Sequence, residues 1–70
     1  MKLTREEALE LMKQGKRVRH YNFTRYEYLE MVDGRIMTED GFHFDDIFST
    51  TSWMANSWYE YQGPDYETTN

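Results

Sequence analysis

The first fifteen residues alternate between hydrophobic and polar positions with a helical period. The apolar side chains of this segment recur at spacings of three and four residues, at Ala8, Leu11 and Met12. Such spacing places them on one face of a helix. Thr4 and Glu7 match the T-x-x-E pattern of a capping box, and Gly15 suits the left-handed residue that follows a helix. The pattern therefore predicts a helix over residues 5–14, docked on another element because a helix this short is marginal alone.

After Gly15 the pattern changes to that of β-strands. Residues 16–20 predict a short basic strand, placed at a sheet edge because its charges would discourage pairing with other chains. Residues 26–32 predict the longest strand, rich in aromatic and branched side chains. Asp33-Gly34 then predicts a two-residue type I′ hairpin turn.

The predicted hairpin fixes which side chains share a face of the sheet. A two-residue turn pairs Met31 with Ile36 and Leu29 with Thr38, which gives one apolar face. The opposite face carries a mixture of aromatic, apolar and acidic side chains: Tyr26, Tyr28, Glu30, Val32 and Met37. A mixed face of this kind is typical either of a subunit interface or ligand platform, or of tyrosine rings lying over solvated strands.

The second half of the chain predicts shorter elements. Asp40-Gly41 marks a turn, and Asp45 or Asp46 is expected to cap a short helical or irregular segment that runs through Phe48. Residues 49–52 are expected to form a loop, residues 53–56 one helical turn, and residues 58–62 a closing strand with Trp58 in the core.

These elements predict an α+β fold with the N-terminal helix packed on a small antiparallel sheet of four to five strands. The 70 residues allow one domain, expected over residues 1–62, followed by a polar, disordered tail over residues 63–70. The chain contains no cysteine, so no disulfide staples this small domain. We therefore expect subunit association, as a dimer or tetramer, to supply the missing stabilisation.

Charge is distributed unevenly along the chain. Residues 1–26 carry seven bases and three acids, a net +4, whereas residues 27–70 carry one base and ten acids, a net −9. The basic part interleaves arginine with aromatic residues, at Arg17, Arg19, Tyr21 and Phe23. Arginine can fork onto a phosphate while an aromatic ring stacks on a base. Direct nucleic-acid binding is not expected, because the overall net charge of −5 opposes it.

Other kinds of site are not predicted. The chain has two histidines and no recognisable nucleophile pattern, so we expect a protein that is not an enzyme, without catalytic residues. The acids between Glu39 and Asp46 do not match a calcium loop, so neither a metal nor a cofactor is expected. No apolar run approaches the roughly 20 residues of a membrane span. We expect a cytoplasmic protein that does not associate with membranes.

Two segments resemble a known family. The first segment is Glu7-Ala8-Leu9-Glu10-Leu11-Met12-Lys13-Gln14-Gly15-Lys16-Arg17-Val18-Arg19, and the second is Met54-Ala55-Asn56-Ser57-Trp58-Tyr59-Glu60-Tyr61. The first is similar to the opening helix and strand of the second Thoeris anti-defence protein family of phages, and the second is similar to the ending of that family. The match covers about 20 residues. Phe23 stands where the family has a tryptophan, and Ser57 stands where it has an aspartate.

The resemblance implies a compact α+β protomer that assembles into a homotetramer and sequesters a nucleotide-type immune signal, of the cyclic ADP-ribose type or a cyclic dinucleotide. On this hypothesis seven residues bind the ligand in a pocket between subunits: Arg17 or Arg19 pairs with phosphate, Tyr21, Phe23 or Trp53 stacks on the base, and Asn22 and Asn56 supply hydrogen bonds.

Two alternatives stay open from the sequence. The acidic C-terminal part could bind a host defence protein, as an inhibitor of the anti-CRISPR or DNA-mimic type. The chain could also be a minor phage structural or assembly module.

Overall fold

The fold is an α+β arrangement of one four-stranded antiparallel sheet and two short α-helices. A computed structural model describes residues 2–63. Its elements, in chain order, are α1 (Arg5–Lys13), β1 (Val18–His20), β2 (Leu29–Val32), β3 (Arg35–Thr38), α2 (Asp45–Thr50), a 3-10 helix (Ser52–Ala55) and β4 (Trp58–Glu60). The strand order is β3-β2-β1-β4. The predicted fold class is confirmed.

α1 begins at the predicted residue, Arg5, and ends at Lys13, one residue before the predicted end. The Thr4 side chain accepts a hydrogen bond from the Glu7 N–H at 3.2 Å, and the Glu7 carboxylate accepts one from the Thr4 N–H at 2.9 Å. This reciprocal pair satisfies two N–H groups that the helix itself leaves without acceptors. Gly15 follows the helix with a φ of +87°, the left-handed conformation expected of it.

The β2–β3 hairpin also has the predicted register. Asp33 and Gly34 take φ angles of 52° and 80°, as a type I′ turn requires. Met31 lies opposite Ile36, and Leu29 lies opposite Thr38. Because the side-chain period of a strand is two, this register settles which residues of both strands face the core.

The predicted edge position of the basic strand is wrong. β1 lies inside the sheet, between β2 and β4, with Val18 opposite Leu29 on one side and opposite Glu60 on the other. Its Arg19 points away from the core face that Val18 and His20 occupy, so its charge does not hinder backbone pairing along either edge.

The real edge strands, β3 and β4, are partly paired with flanking chain. Leu3 exchanges backbone hydrogen bonds with Trp58 in β4, at 2.8 and 3.0 Å. At the other edge, the Thr38 N–H donates to Phe42 O and the Phe44 N–H donates to Ile36 O, each at 2.8 Å. Such pairing reduces the number of backbone groups open to another strand.

Both α-helices pack on the same face of the sheet and enclose one hydrophobic core. Its buried members are Ala8, Met12, Val18, Leu29, Ile36, Phe48, Met54 and Trp58. Trp58 is fully buried, as predicted, and its indole Nε1 donates to Met54 O at 2.7 Å. We call the opposite side of the sheet the outer face; it carries Arg19, Glu30 and Met37.

α2 is longer than predicted, because Ser49 and Thr50 are helical rather than part of a loop. Their hydroxyls donate to carbonyls one turn earlier, within the helix. Neither Asp45 nor Asp46 caps this helix; the N-cap position is Phe44, without a side-chain cap bond. The predicted tail lies, apart from Gly63, outside the described residues.

Asp45 instead ties α2 to β3. Its Oδ1 accepts from the Ile36 N–H and its Oδ2 from the Arg35 Nε, both at 3.1 Å. The Ile36 hydrogen bond outweighs partial desolvation and, with help from Arg35, holds the pKa of the Asp45 carboxyl below its ordinary value of 3.8. The ionised carboxylate therefore stabilises the fold.

This bond predicts a specific dependence of stability on pH. Because the folded-state pKa of Asp45 is lowered, its stabilisation is complete above about pH 4 and is lost as the pH falls through the folded-state value. We expect Asp45→Asn to lower the free energy of unfolding by about 1 kcal/mol at pH 7. In urea titrations this difference should shrink below pH 4. The exposed neighbour variant Asp46→Asn should show no such convergence; a difference for Asp45→Asn that stays constant down to pH 2.5 would contradict the assignment.

Candidate functional site

The buried imidazole of His20 joins two segments at one end of the sheet. His20 is the last residue of β1 and is 2% exposed. Its Nδ1 accepts a hydrogen bond from the Asn22 N–H at 3.1 Å, and its Nε2 lies 3.2 Å from Trp53 O. Since Nδ1 accepts, Nε2 carries the proton and donates to the carbonyl. The neutral ring thus satisfies one donor and one acceptor from separate parts of the chain.

Side chains from three elements hold the segment that contains the 3-10 helix. The Arg5 guanidinium donates to Thr51 O, the His20 ring to Trp53 O and the Trp58 indole to Met54 O. Trp53 O and Met54 O lie near the C-terminal end of the 3-10 helix, where carbonyls lack partners within the helix. Thr51 O precedes the helix and also accepts from the Met54 N–H at 3.1 Å, so the Arg5 bond adds a second donor there. Together the three side chains fix the backbone of this segment. Trp53 is therefore presented from a segment that is anchored in the core.

Aromatic rings surround His20 on the core side. The His20 ring meets the Trp53 ring edge-on at 4.9 Å and the Trp58 ring edge-on at 5.1 Å. Edge-to-face geometry is the favoured arrangement for such rings. Trp58 closes this arrangement from within the core, whereas Trp53 forms its outer wall and remains 53% exposed.

Four of the predicted ligand-binding residues lie at this end of the sheet. The Tyr21 N–H donates to Ser57 O at 2.9 Å, which brings the turn after β1 beside the residues that precede β4. Tyr21 is 67% exposed, and Asn22 and Asn56 are also exposed. We call Tyr21, Asn22, Trp53 and Asn56 the strand-end cluster. The backbone segments that carry Tyr21 and Trp53 are held by hydrogen bonds, whereas the two rings contribute little to the core.

The two predicted arginines lie along β1 rather than within this cluster. Arg19 is half-buried on the outer face, and its Nη2 donates to Phe23 O at 2.8 Å, which ties the strand to the turn. Arg17 lies two residues further away, about 7 Å along the strand. There it pairs with Glu30 at 3.2 Å and stacks over the Tyr28 ring at 4.6 Å. Arg19 is thus the arginine nearer to the cluster.

Phe23 belongs to the core side of the turn. Its ring contacts the Trp58 ring at 5.7 Å and the Phe44 ring at 6.4 Å, both edge-on, and it packs against the buried core. In this position Phe23 supports the turn, and the exposed rings of the cluster are those of Tyr21 and Trp53.

The central role of His20 was not predicted. In the sequence His20 is only the last residue of the predicted basic strand over residues 16–20, whereas in the structure its ring faces the core. One signal could have found it: His20 follows Val18 by two residues, so both side chains share the face of β1 that must pack under α1.

Metal ligands do not cluster within residues 2–63. In that range no three His, Cys, Asp or Glu side chains come together in a way that could bind a metal ion. The helices between residues 2 and 63 are too short or too polar to cross a membrane.

No family model, curated protein or solved structure matches the chain. The function is therefore inferred from the residues of the strand-end cluster and from the resemblance of the two terminal segments.

Proposed function

We propose that this protein is a non-enzymatic binding protein that sequesters a nucleotide-type immune signal, of the cyclic ADP-ribose type or a cyclic dinucleotide, as a phage anti-defence protein. The observation that carries the proposal is the exposure of Tyr21 and Trp53 on segments that His20 and Trp58 anchor. Exposed aromatic rings on a rigid support are typical of binding surfaces. The resemblance at the two ends of the chain supplies the ligand class.

The chemistry of the cluster suits the parts of a nucleotide. An indole or phenol ring can stack on a base, and such stacking contributes about 1–3 kcal/mol per base. The exposed amides of Asn22 and Asn56 offer both donors and acceptors for base edges or ribose hydroxyls. Arg19 is tied to the same turn through Phe23 O, and in this proposal it pairs with phosphate.

The open shape of the cluster is the reason to include a second copy of the chain. Tyr21 and Trp53 are more than half exposed, so a ligand stacked on them in one protomer keeps its other face in water. We propose that a second protomer closes the site, as the resemblance implies. Arg17 and Tyr28 directly precede the core-facing Val18 and Leu29 and so lie on the outer face, where they stack on each other. They belong to the surface that such a protomer would meet. Acting on such a signal would place the protein in the cytoplasm of the infected cell.

Calorimetry with a defined ligand panel tests this function. We expect at least one cyclic ADP-ribose isomer or cyclic dinucleotide to bind with micromolar or tighter affinity. Trp53→Ala should weaken that binding by about tenfold or more, because the stacking platform is lost. The matched control is Phe42→Ala, since Phe42 is similarly exposed, at 69%, but lies outside the cluster.

Three results decide the outcome. If no ligand of the panel gives a heat of binding at micromolar protein, the proposed function is wrong. If Trp53→Ala and Phe42→Ala weaken ligand binding equally, the strand-end cluster is not the binding site. Light scattering of the free protein tests the second protomer, because a monomer that binds the ligand with full affinity would contradict a site closed between subunits.

A further inference from the structure

A groove lies between the two α-helices, on the core side of the sheet and away from the strand-end cluster. α1 packs on β1, β2 and β4, whereas α2 packs on β3, so the two helices leave a gap over the β2–β3 hairpin. The gap has a volume of about 600 Å³. This is within the range of about 300–1,000 Å³ that is usual for small-molecule sites.

The groove is lined mainly by apolar side chains. Met31 and Ile36 of the hairpin form its floor, Leu9 forms the wall on α1, and Phe48 forms the wall on α2. Leu9 and Met31 are only half-buried, although both pack against the core. An occupant that covers them would remove apolar surface from water, which is favourable at roughly 25 cal/mol per Å².

The cationic side chains of the groove stand along one stripe of α1. Arg5, Leu9 and Lys13 follow each other at intervals of four residues and all line the groove. The two cations are therefore about 12 Å apart along the helix with an apolar residue between them. This arrangement is complementary to an apolar body that carries a negative charge at one end.

The two ends of the stripe are not equivalent. Lys13 is exposed and has an acidic neighbour, Glu10, at 3.6 Å. Arg5 is half-buried; its Nη2 donates to Thr51 O, while its Nε is enclosed and has no hydrogen-bond acceptor among the described residues. Arg5 lines the groove, and the part of its guanidinium that remains accessible there, beside apolar side chains, favours a carboxylate as its partner.

The acidic residues that line the groove do not cancel the preference of Arg5 for a carboxylate. Both oxygens of Asp45 accept hydrogen bonds from the Arg35 guanidinium and the Ile36 N–H, so its charge is already neutralised by a neighbour. Glu6 is exposed on the first turn of α1, next to Arg5 in the sequence. The part of the Arg5 guanidinium that borders the groove can therefore pair with an incoming anion.

We propose that the groove between α1 and α2 binds a small apolar monocarboxylate, with its apolar body over Leu9 and Met31 and its carboxylate on the Arg5 guanidinium. This site is separate from the strand-end cluster and does not depend on the nucleotide proposal. The class includes single acyl chains and flat aromatic acids, since the floor and walls formed by Leu9, Met31, Ile36 and Phe48 are apolar and do not select between them.

The experiment is an NMR titration of the ¹⁵N-labelled chain with sodium decanoate below its micelle concentration, repeated with 1-decanol. We expect saturable shifts at Leu9, Met31 and Ile36 with decanoate. Decanol should bind about tenfold more weakly, because it lacks the charge that pairs with Arg5. The Trp53→Ala variant should bind decanoate as the unmodified chain does.

Three variants test the residues themselves. Arg5→Gln should weaken decanoate binding by about tenfold, whereas Arg25→Gln, which removes an exposed arginine paired with Tyr26, should leave it unchanged. Circular dichroism establishes that each variant is folded. If Arg5→Gln fails to fold, Leu9→Gln provides the test, since it keeps the helix and removes the apolar wall.

Four results would contradict carboxylate binding in the groove. The proposal is overturned by an absence of saturable shifts up to millimolar decanoate, by equal affinity for decanoate and decanol, or by shifts confined to Tyr21 and Trp53. Equal weakening by Arg5→Gln and Arg25→Gln would also overturn it, because it would show a general charge effect.

Discussion

Replacing Trp58 by alanine is expected to unfold the protein at room temperature or leave it barely folded. Trp58 is fully buried, and its ring contacts His20, Phe23 and Phe48 at 5.1, 5.7 and 5.1 Å. Removing a buried tryptophan typically costs about 3–5 kcal/mol through lost burial and the cavity left behind. A domain of this length has a total stability of only about 4–10 kcal/mol.

The indole hydrogen bond adds to this cost. Nε1 donates to Met54 O at 2.7 Å, in the same 3-10 helix that presents Trp53. Alanine leaves this buried carbonyl without its donor. Trp58→Phe should therefore be intermediate, because it keeps most of the apolar volume and loses only the N–H.

The chain contains its own control, since it has a second tryptophan. Trp53 is 53% exposed, and alanine at this position keeps the backbone carbonyl that accepts from His20 while losing only the edge-on contact between the two rings. Urea unfolding followed by circular dichroism should show a loss of more than 3 kcal/mol for Trp58→Ala and of about 1 kcal/mol or less for Trp53→Ala. Similar losses in the two variants would contradict the assignment of Trp58 to the core and Trp53 to the surface.

Local signals in the sequence predicted α1 and the hairpin closely. The Thr4–Glu7 capping box and the Asp33-Gly34 turn each depend on residues only a few positions apart, so their geometry is encoded within the segment. Once the turn was fixed, the register of Met31 against Ile36 followed from the two-residue period of strands.

Non-local pairing explains the main error in the fold. Residues 16–20 were predicted to form an edge strand because the segment is short and basic, but neighbours in a sheet are decided by the whole chain. β4 returns antiparallel to β1 after about 40 residues, with His20 opposite Trp58. No local signal in β1 indicates that the last strand pairs with it.

The candidate site could be predicted only in part for the same reason. The aromatic residues at Tyr21 and Trp53 were identified from their type, and the structure brings their segments to one end of the sheet. The way in which they are held there depends on contacts across 33 residues, between His20 and Trp53. Composition and spacing do not encode such contacts.

Replacing His20 by leucine is the other change expected to have a large effect. Leucine fills a similar volume but leaves the Asn22 N–H and the Trp53 carbonyl without their partner. A buried polar group that loses its partner costs about 1–3 kcal/mol. We expect a total loss of about 2–4 kcal/mol in the free energy of unfolding, and a melting temperature lower by about 10 °C or more.

Two further variants separate the two hydrogen bonds. The amide oxygen of asparagine stands where Nδ1 of histidine stands, so His20→Asn should keep the acceptor for the Asn22 N–H. The amide nitrogen of glutamine is placed like Nε2, so His20→Gln should keep the donor to Trp53 O. Each should be more stable than His20→Leu, and each should retain order in a different segment, which NMR shifts of Asn22 and Trp53 report.

His43 provides the matched control, because it is the other histidine and is exposed, 3.4 Å from the Arg35 guanidinium. His43→Leu should change stability by no more than about 0.5 kcal/mol. If His20→Leu proves as stable as the unmodified chain, the imidazole is not the joint between the two segments. In that case the anchoring of Trp53 has to come from Trp58 and Arg5 alone, and the strand-end cluster loses the rigidity on which its proposed function depends.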